Sequence, residues 1–146
     1  MKPTYLFGFD IGSISINTVV MDKDGKVIEE RYDYNHGKPF EKLKEILDEL
    51  EQRYSREQFG HISLTGTGGK LAAELLGGTY VNEIVAQSTS VARLHPEVRT
   101  IIEMGGEDSK LIFMDEVDKN ASRLSDFELN TLCAAGTGSL DRKSVV

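Results

Sequence analysis

Three short segments combine residue types that can hold an anion, a metal ion or both. Asp10-Ile-Gly-Ser13 sets a carboxylate two positions before a glycine. Glu103-Met-Gly-Gly-Glu-Asp-Ser-Lys110 offers a second carboxylate, two glycines and a lysine. Thr131-Leu-Cys-Ala-Ala-Gly-Thr-Gly138 carries the one cysteine among 146 residues. At a tight glycine turn, backbone amides can converge on a phosphate because no Cβ blocks the approach. An acidic residue at the end of the preceding strand can hold Mg2+, usually through water, while the ion bridges phosphate oxygens. A single cysteine, with nothing else known, is more often a packing residue than a ligand.

The first two segments echo one another. At a constant offset of 93, Asp10 falls on Glu103, Gly12 on Gly105, Met21 on Met114 and Asp22 on Asp115. Each copy reads as an apolar strand, an acidic residue, a glycine turn and a second apolar strand. That offset is too long for a solenoid repeat, and two copies are too few. Two similar lobes, each opening with a glycine hairpin, fit better, and a phosphate clamp is one reading of the pair.

The elements that must position these turns follow from hydrophobic period and punctuation. Thr4 to Ile11, Ser15 to Asp22 and Lys26 to Tyr34 read as three strands of an antiparallel meander. Pro39 suits the first turn of a helix that continues with Phe40, Leu43, Ile46, Leu47 and Leu50 up to Tyr54. His61 to Thr65 is a short strand entering Gly66-Thr67-Gly68-Gly69, then a helix from Lys70 to Leu76 closed by Gly77-Gly78. Glu83 to Leu94 is a further helix, stopped by Pro96. The pattern then restarts, with strands at Arg99 to Met104 and Ser109 to Asp115, a turn over Glu116 to Asn120, and a third strand over Ala121 to Leu129. The restart puts a domain boundary near Pro96, giving a first lobe over 1–97 and the beginning of a second over 98–146.

Composition narrows the function. Seventeen Lys and Arg against 24 Asp and Glu give a formal charge of −7, with no basic cluster, which argues against nucleic acid and against a membrane surface. One cysteine cannot form an internal disulfide, and no apolar leader follows Met1, so a cytoplasmic protein is expected. Competing motifs fail. A Walker loop would need glycine at Leu64, and a dinucleotide fingerprint starting at Gly66 would need glycine at Leu71. His36, His61 and His95 lack ligand spacing and read as surface or turn residues.

Taken together, Asp10-Ile-Gly-Ser13, Glu103 to Lys110 and Cys133-Ala-Ala-Gly-Thr-Gly138 resemble the ATP-dependent activators of 2-hydroxyacyl-CoA dehydratases and benzoyl-CoA reductases. These belong to the superfamily of acetate and sugar kinases, heat-shock chaperones and actin. The resemblance runs from Phe7 to about Arg142, and its most specific part is the cysteine box. It implies an α/β fold with a ribonuclease-H-like, actin-like ATPase lobe: the three-stranded meander plus parallel strands and helices, then the start of a second similar lobe. It further implies a homodimer that binds ATP or ADP with Mg2+ and shares a [4Fe–4S] cluster. Electrons would come from a ferredoxin or flavodoxin and pass to a dehydratase or benzoyl-CoA reductase component. On that resemblance Asp10 holds Mg2+ through water, and Gly12, Ser13, Gly105, Gly106 and Lys110 grip the nucleotide. Glu107 and Asp108 are the candidate catalytic carboxylates, with Glu107 placed to orient the attacking water. Cys133 would ligate the cluster, with Gly136 and Gly138 opening the helix after it. Thiolate ligation and a helix N-terminus that lowers thiol pKa are compatible with that role.

Two positions depart from the family pattern. Glu107 stands where the family usually has Gln, and a carboxylate there would repel a γ-phosphate unless protonated or metal-paired. Asn17 stands where Lys is common. The resemblance also implies a longer second lobe with adenosine-binding glycines and a second cluster cysteine. The chain is therefore expected to be a fragment with limited ATPase activity and no stable cluster alone. Two alternatives stay open: a small-molecule (sugar or carboxylate) kinase of the same superfamily, using Glu107 or Asp108 as base, and a non-catalytic fragment that pairs with another chain through an exposed strand edge near Ala121 to Leu129.

Overall fold

Alternation of buried and accessible positions organises the first sheet. A computed structural model describes residues 4–105 and 108–130. Strands β1 (Tyr5–Ile11), β2 (Ser15–Asp22) and β3 (Val27–Tyr34) form the expected meander. Phe7, Phe9 and Ile11 point to the same interior as Ile16, Thr18 and Val20, as a period of two requires. Helix α1 (Pro39–Arg53) covers that interior with Leu43, Ile46 and Leu50. A 3₁₀ turn at Arg56–Gln58 leads into β4 (Phe59–Thr65), which pairs parallel to β1. Phe59 stacks on Phe7 with ring centroids 4.2 Å apart, and Tyr54 meets Phe7 edge-on at 5.5 Å. Helix α2 (Gly69–Leu76) returns the chain to β5 (Thr79–Tyr80), completing a five-stranded sheet of order β3-β2-β1-β4-β5. An antiparallel meander extended by parallel strands through helical crossovers is the ribonuclease-H-like arrangement.

Charge fastens α1 to the outer strand. Arg31 on β3 forks onto Asp33 at 2.6 and 2.8 Å and reaches Glu49 of α1 at 2.6 Å, while Arg53 of α1 meets Glu29 at 2.6 Å. The Arg31 guanidinium holds the Asp33 carboxyl below the usual carboxylate range.

The second sheet contains β6 (Thr100–Met104), β7 (Ser109–Asp118) and β8 (Ala121–Asn130), all antiparallel. Helix α3 (Glu83–Leu94) buries Ile84 with Ile112 and Met114, against Ala92, Ile101 and Leu124. The chain accordingly divides into Met1–Asn82 and Glu83–Val146. The boundary expected at 97/98 moves upstream because α3 joins the second sheet's core. A second correction concerns the turn expected over Glu116 to Asn120. Strand β7 runs on to Asp118, register shifts absorb the irregularity, and the turn is confined to Lys119-Asn120, where Asp118 Oδ1 accepts the Asn120 N–H at 2.8 Å. Among the described residues no helix is long and apolar enough to cross a membrane.

Candidate functional site: two glycine elbows

Both acidic–glycine segments are tight hairpin elbows, built alike. In the first, the β1–β2 ladder ends at Ile11 opposite Ile16, and the Gly12 N–H donates to the Ser15 carbonyl at 2.9 Å. In the second, the β6–β7 ladder ends at Met104 opposite Ser109, and the Gly105 N–H donates to the Asp108 carbonyl at 2.9 Å. The offset of 93 holds through the whole register. Asp10 pairs with Asn17 as Glu103 pairs with Lys110, and Gly8 with Val19 as Ile101 with Ile112. The sequence echo is thus a repeat of backbone pairing.

The elbows differ in charge. Asp10 Oδ2 takes a long bond, 3.5 Å, from the neutral Asn17 amide. At the equivalent place Lys110 is only 6% exposed, and its Nζ lies 2.9 Å from Glu103, 2.9 Å from Asp108 and 3.0 Å from Glu83. Gln87 adds a 2.7 Å bond to Glu103. Burial pulls the lysine's pKa down, but the hydrogen bonds it donates to Asp108, Glu103 and Glu83 outweigh this and hold the amine above the ordinary lysine range. The three carboxylates enclose an amine, and among the described residues no group of three or more His, Cys, Asp or Glu has the arrangement of a metal site.

Asp10 also has a neighbour that a linear motif does not reveal. Thr65, the last residue of β4, is its parallel partner, and Gly66 follows with φ of 86°. A Cβ at Gly66 would lie 2.5 Å from Asp10 Oδ1 and 2.5 Å from the Ile11 carbonyl oxygen. Gly68 N–H donates to that same carbonyl at 2.9 Å. The Gly66-to-Gly69 turn is therefore shaped around the end of β1. Thr65 Oγ1 is buried without a hydrogen-bond partner among the described residues, on the face that Asp10 uses. A carboxylate with an unsatisfied hydroxyl beside it is the oxygen-rich environment that a hydrated Mg2+ takes.

Of the residues singled out from sequence, Asp10, Gly12 and Ser13 lie together at the first elbow, with Ser13 exposed. Gly105, Asp108 and Lys110 lie together at the second, where Asp108 Oδ1 and the Lys110 amine are bonded to each other. Gly106, Glu107, Cys133, Gly136 and Gly138 fall outside the described residues.

A family model, the BadF/BadG/BcrA/BcrD ATPase family, matches residues 7–141. The chain belongs to this family. It is 31% identical over 136 residues to a 2-hydroxyisocaproyl-CoA dehydratase activator of Clostridioides difficile, covering 92% of this chain and 48% of that protein. It is 32% identical over 136 residues to an activator of lactoyl-CoA dehydratase of Anaerotignum propionicum, covering 92% and 50%. Among solved structures, the activator of the 2-hydroxyisocaproyl-CoA dehydratase from Clostridium difficile with bound ADPNP matches with a TM-score of 0.75 and 28% identity, over 93% of this chain and 49% of that one. Component A of the Acidaminococcus fermentans (R)-2-hydroxyglutaryl-CoA dehydratase matches with a TM-score of 0.76 and 22% identity over 93% and 51%, a likeness of fold. The chain spans about half the length of these relatives.

Two substitutions check the geometry. Gly66→Ala combines a left-handed φ with a clash against Asp10 and the β1 carbonyl, so it should lower unfolding free energy in urea by about 2–4 kcal/mol. An unchanged midpoint would contradict the packing described. Lys110→Met leaves three carboxylates around a lost cation. They remain partly solvated, so about 2–3 kcal/mol is expected rather than the full cost of a broken buried pair. Because the folded lysine's pKa lies above its unfolded value of 10.5, its contribution is complete below that pH and is lost as pH rises further. The stability gap between wild type and variant should therefore be flat from neutral pH to about 10 and shrink above it. A gap that widens there would refute the assignment.

Proposed function

We propose that this chain supplies the nucleotide-binding part of an activator that couples ATP hydrolysis to low-potential electron transfer from a [4Fe–4S] cluster to a 2-hydroxyacyl-CoA dehydratase or a related CoA-ester reductase. The likeness to an activator solved with ADPNP supports this reading most directly. The elbows supply the chemistry for it. Gly12 and Ser13, with Gly105 and Gly106, would give phosphate oxygens backbone donors that no side chain obstructs. Asp10 would hold a hydrated Mg2+, with the Thr65 hydroxyl available to its water shell; the bound ion would neutralise charge developing on the phosphates. Asn17, being neutral, leaves Asp10 without competition from a lysine at that register position. Lys110 would act through Asp108 and Glu103, fixing their carboxylates at the foot of the second elbow. Glu107 would orient the attacking water, and Asp108 would assist as a carboxylate beside it.

The redox side rests on Cys133. We assign it as a cluster ligand, with Gly136 and Gly138 opening the following helix; a bound cluster would supply the electron that the partner enzyme consumes. A homodimer, a ferredoxin or flavodoxin as donor, and a cytoplasmic location complete the proposal.

Mg2+ with ADPNP at millimolar concentration should raise the melting temperature of the wild-type chain, since a ligand of the native state stabilises it by about 2.7 kcal/mol at a hundred times Kd. Asp10→Asn should abolish the Mg2+-dependent part of the shift. A wild-type melting temperature indifferent to the nucleotide would reject the reading.

A further inference from the structure

Asn35 is a polar side chain buried to 2% exposure, and no catalytic motif includes it. Its Nδ2 donates to the Gly12 carbonyl at 2.9 Å across 23 residues of sequence. Its own N–H donates to the Ile14 carbonyl at 2.9 Å. Its Oδ1 accepts the Gly37 N–H at 2.9 Å, which settles which end of the amide is oxygen and so which end must face Gly12. Its carbonyl accepts the Lys38 N–H at 2.8 Å, immediately before α1 begins at Pro39. One residue thus grips two carbonyls of the first elbow and ties them to the start of a helix.

We infer that Asn35 is a positioning residue, which fixes the Gly12–Ser13 peptide so that the Ser13 N–H faces outward as a phosphate donor. The inference rests on the nucleotide reading of that elbow. A peptide unit is planar and, in this protein, trans throughout the described residues, so its C=O and N–H point in opposite directions. Drawing the Gly12 oxygen inward to Asn35 turns the Ser13 amide away from the interior, toward the side where Ser13 is exposed. Without that anchor the peptide could flip, presenting a carbonyl oxygen where an anion needs a donor.

Local backbone geometry indicates that the position of Asn35 is enforced. His36 has φ of 51° and Gly37 has φ of 77°, so both central residues of the Asn35–Lys38 turn are left-handed. That conformation is unfavourable for a residue other than glycine. It persists because the surrounding bonds, Asn35 with Gly12, Ile14, Gly37 and Lys38, over-determine it.

Asn35→Asp separates positioning from simple structure. The carboxylate keeps the acceptor for Gly37 but cannot donate to Gly12, so the turn survives while the anchor is lost. Asn35→Ala serves as the second variant, removing both bonds. In ligand-free 15N-labelled protein the Ser13 amide resonance should shift or broaden in both variants, while resonances of β6 to β8 stay in place. Affinity for Mg2+–ADPNP should fall about tenfold, the scale of one well-placed hydrogen bond and its preorganisation. Lowering the pH until the introduced carboxyl protonates, earlier than usual because it is buried, should restore the donor and return the Ser13 resonance toward its wild-type position. An unperturbed Ser13 amide in both variants, or affinity within twofold of wild type, overturns the inference. A wild-type protein that ignores Mg2+–ADPNP instead overturns the nucleotide reading, with the phosphate role given to Ser13.

Discussion

A glycine N–H bonded to the carbonyl three residues ahead closes each hairpin, and the placement of the described candidate residues at the two elbows depends on that bond. Because Gly12 and Gly105 make it at equal length, the strands on either side are held in the same register, and the acidic residues at positions 10 and 103 come to the same place relative to the turn. A side chain at Gly105 would sit 3.3 Å from the Asp108 carbonyl, and one at Gly12 3.2 Å from the Ser15 carbonyl. A Cβ at either corner would press on a backbone oxygen that must give slightly, so glycine fits both with the least adjustment.

Shared backbone geometry carries different electrostatics. Around the second elbow a buried lysine organises three carboxylates contributed by β6, α3 and the residue just before β7, and it makes that corner a satisfied network. Around the first, a neutral asparagine, an unsatisfied threonine hydroxyl and a glycine that makes room for a carboxylate oxygen surround Asp10. The second corner is the more heavily braced of the two, by the ion pairs of Lys110. The same hairpin pairing thus carries two different side-chain environments.

Much of this was readable in one dimension because it is local. The alternation of Phe7, Phe9 and Ile11, the helical spacing of Leu43, Ile46 and Leu50, and the helix from Glu83 to Leu94 are periodic signals that burial reproduces. The glycine echo was legible because a repeat keeps its spacing. Strand β5 was not, since two residues carry no period. The allegiance of α3 was not, because an amphipathic helix states that it needs a partner without naming the sheet. Asn35 stayed hidden because its bond runs from a side chain to a distant backbone carbonyl, which no residue pattern encodes. Gly66 beside Asp10 was likewise invisible until the parallel pairing of β1 with β4 was known.

The central claim is the proposal that the first elbow presents backbone donors to the phosphates of a nucleotide. The direct measurement is a titration of 15N-labelled protein with Mg2+–ADPNP, following the backbone amide of Ser13. It should move along a saturation curve, and it should stay in place with Mg2+ and adenosine alone. If the Ser13 amide does not respond, or if adenosine produces the same shift, the first elbow is not a phosphate site.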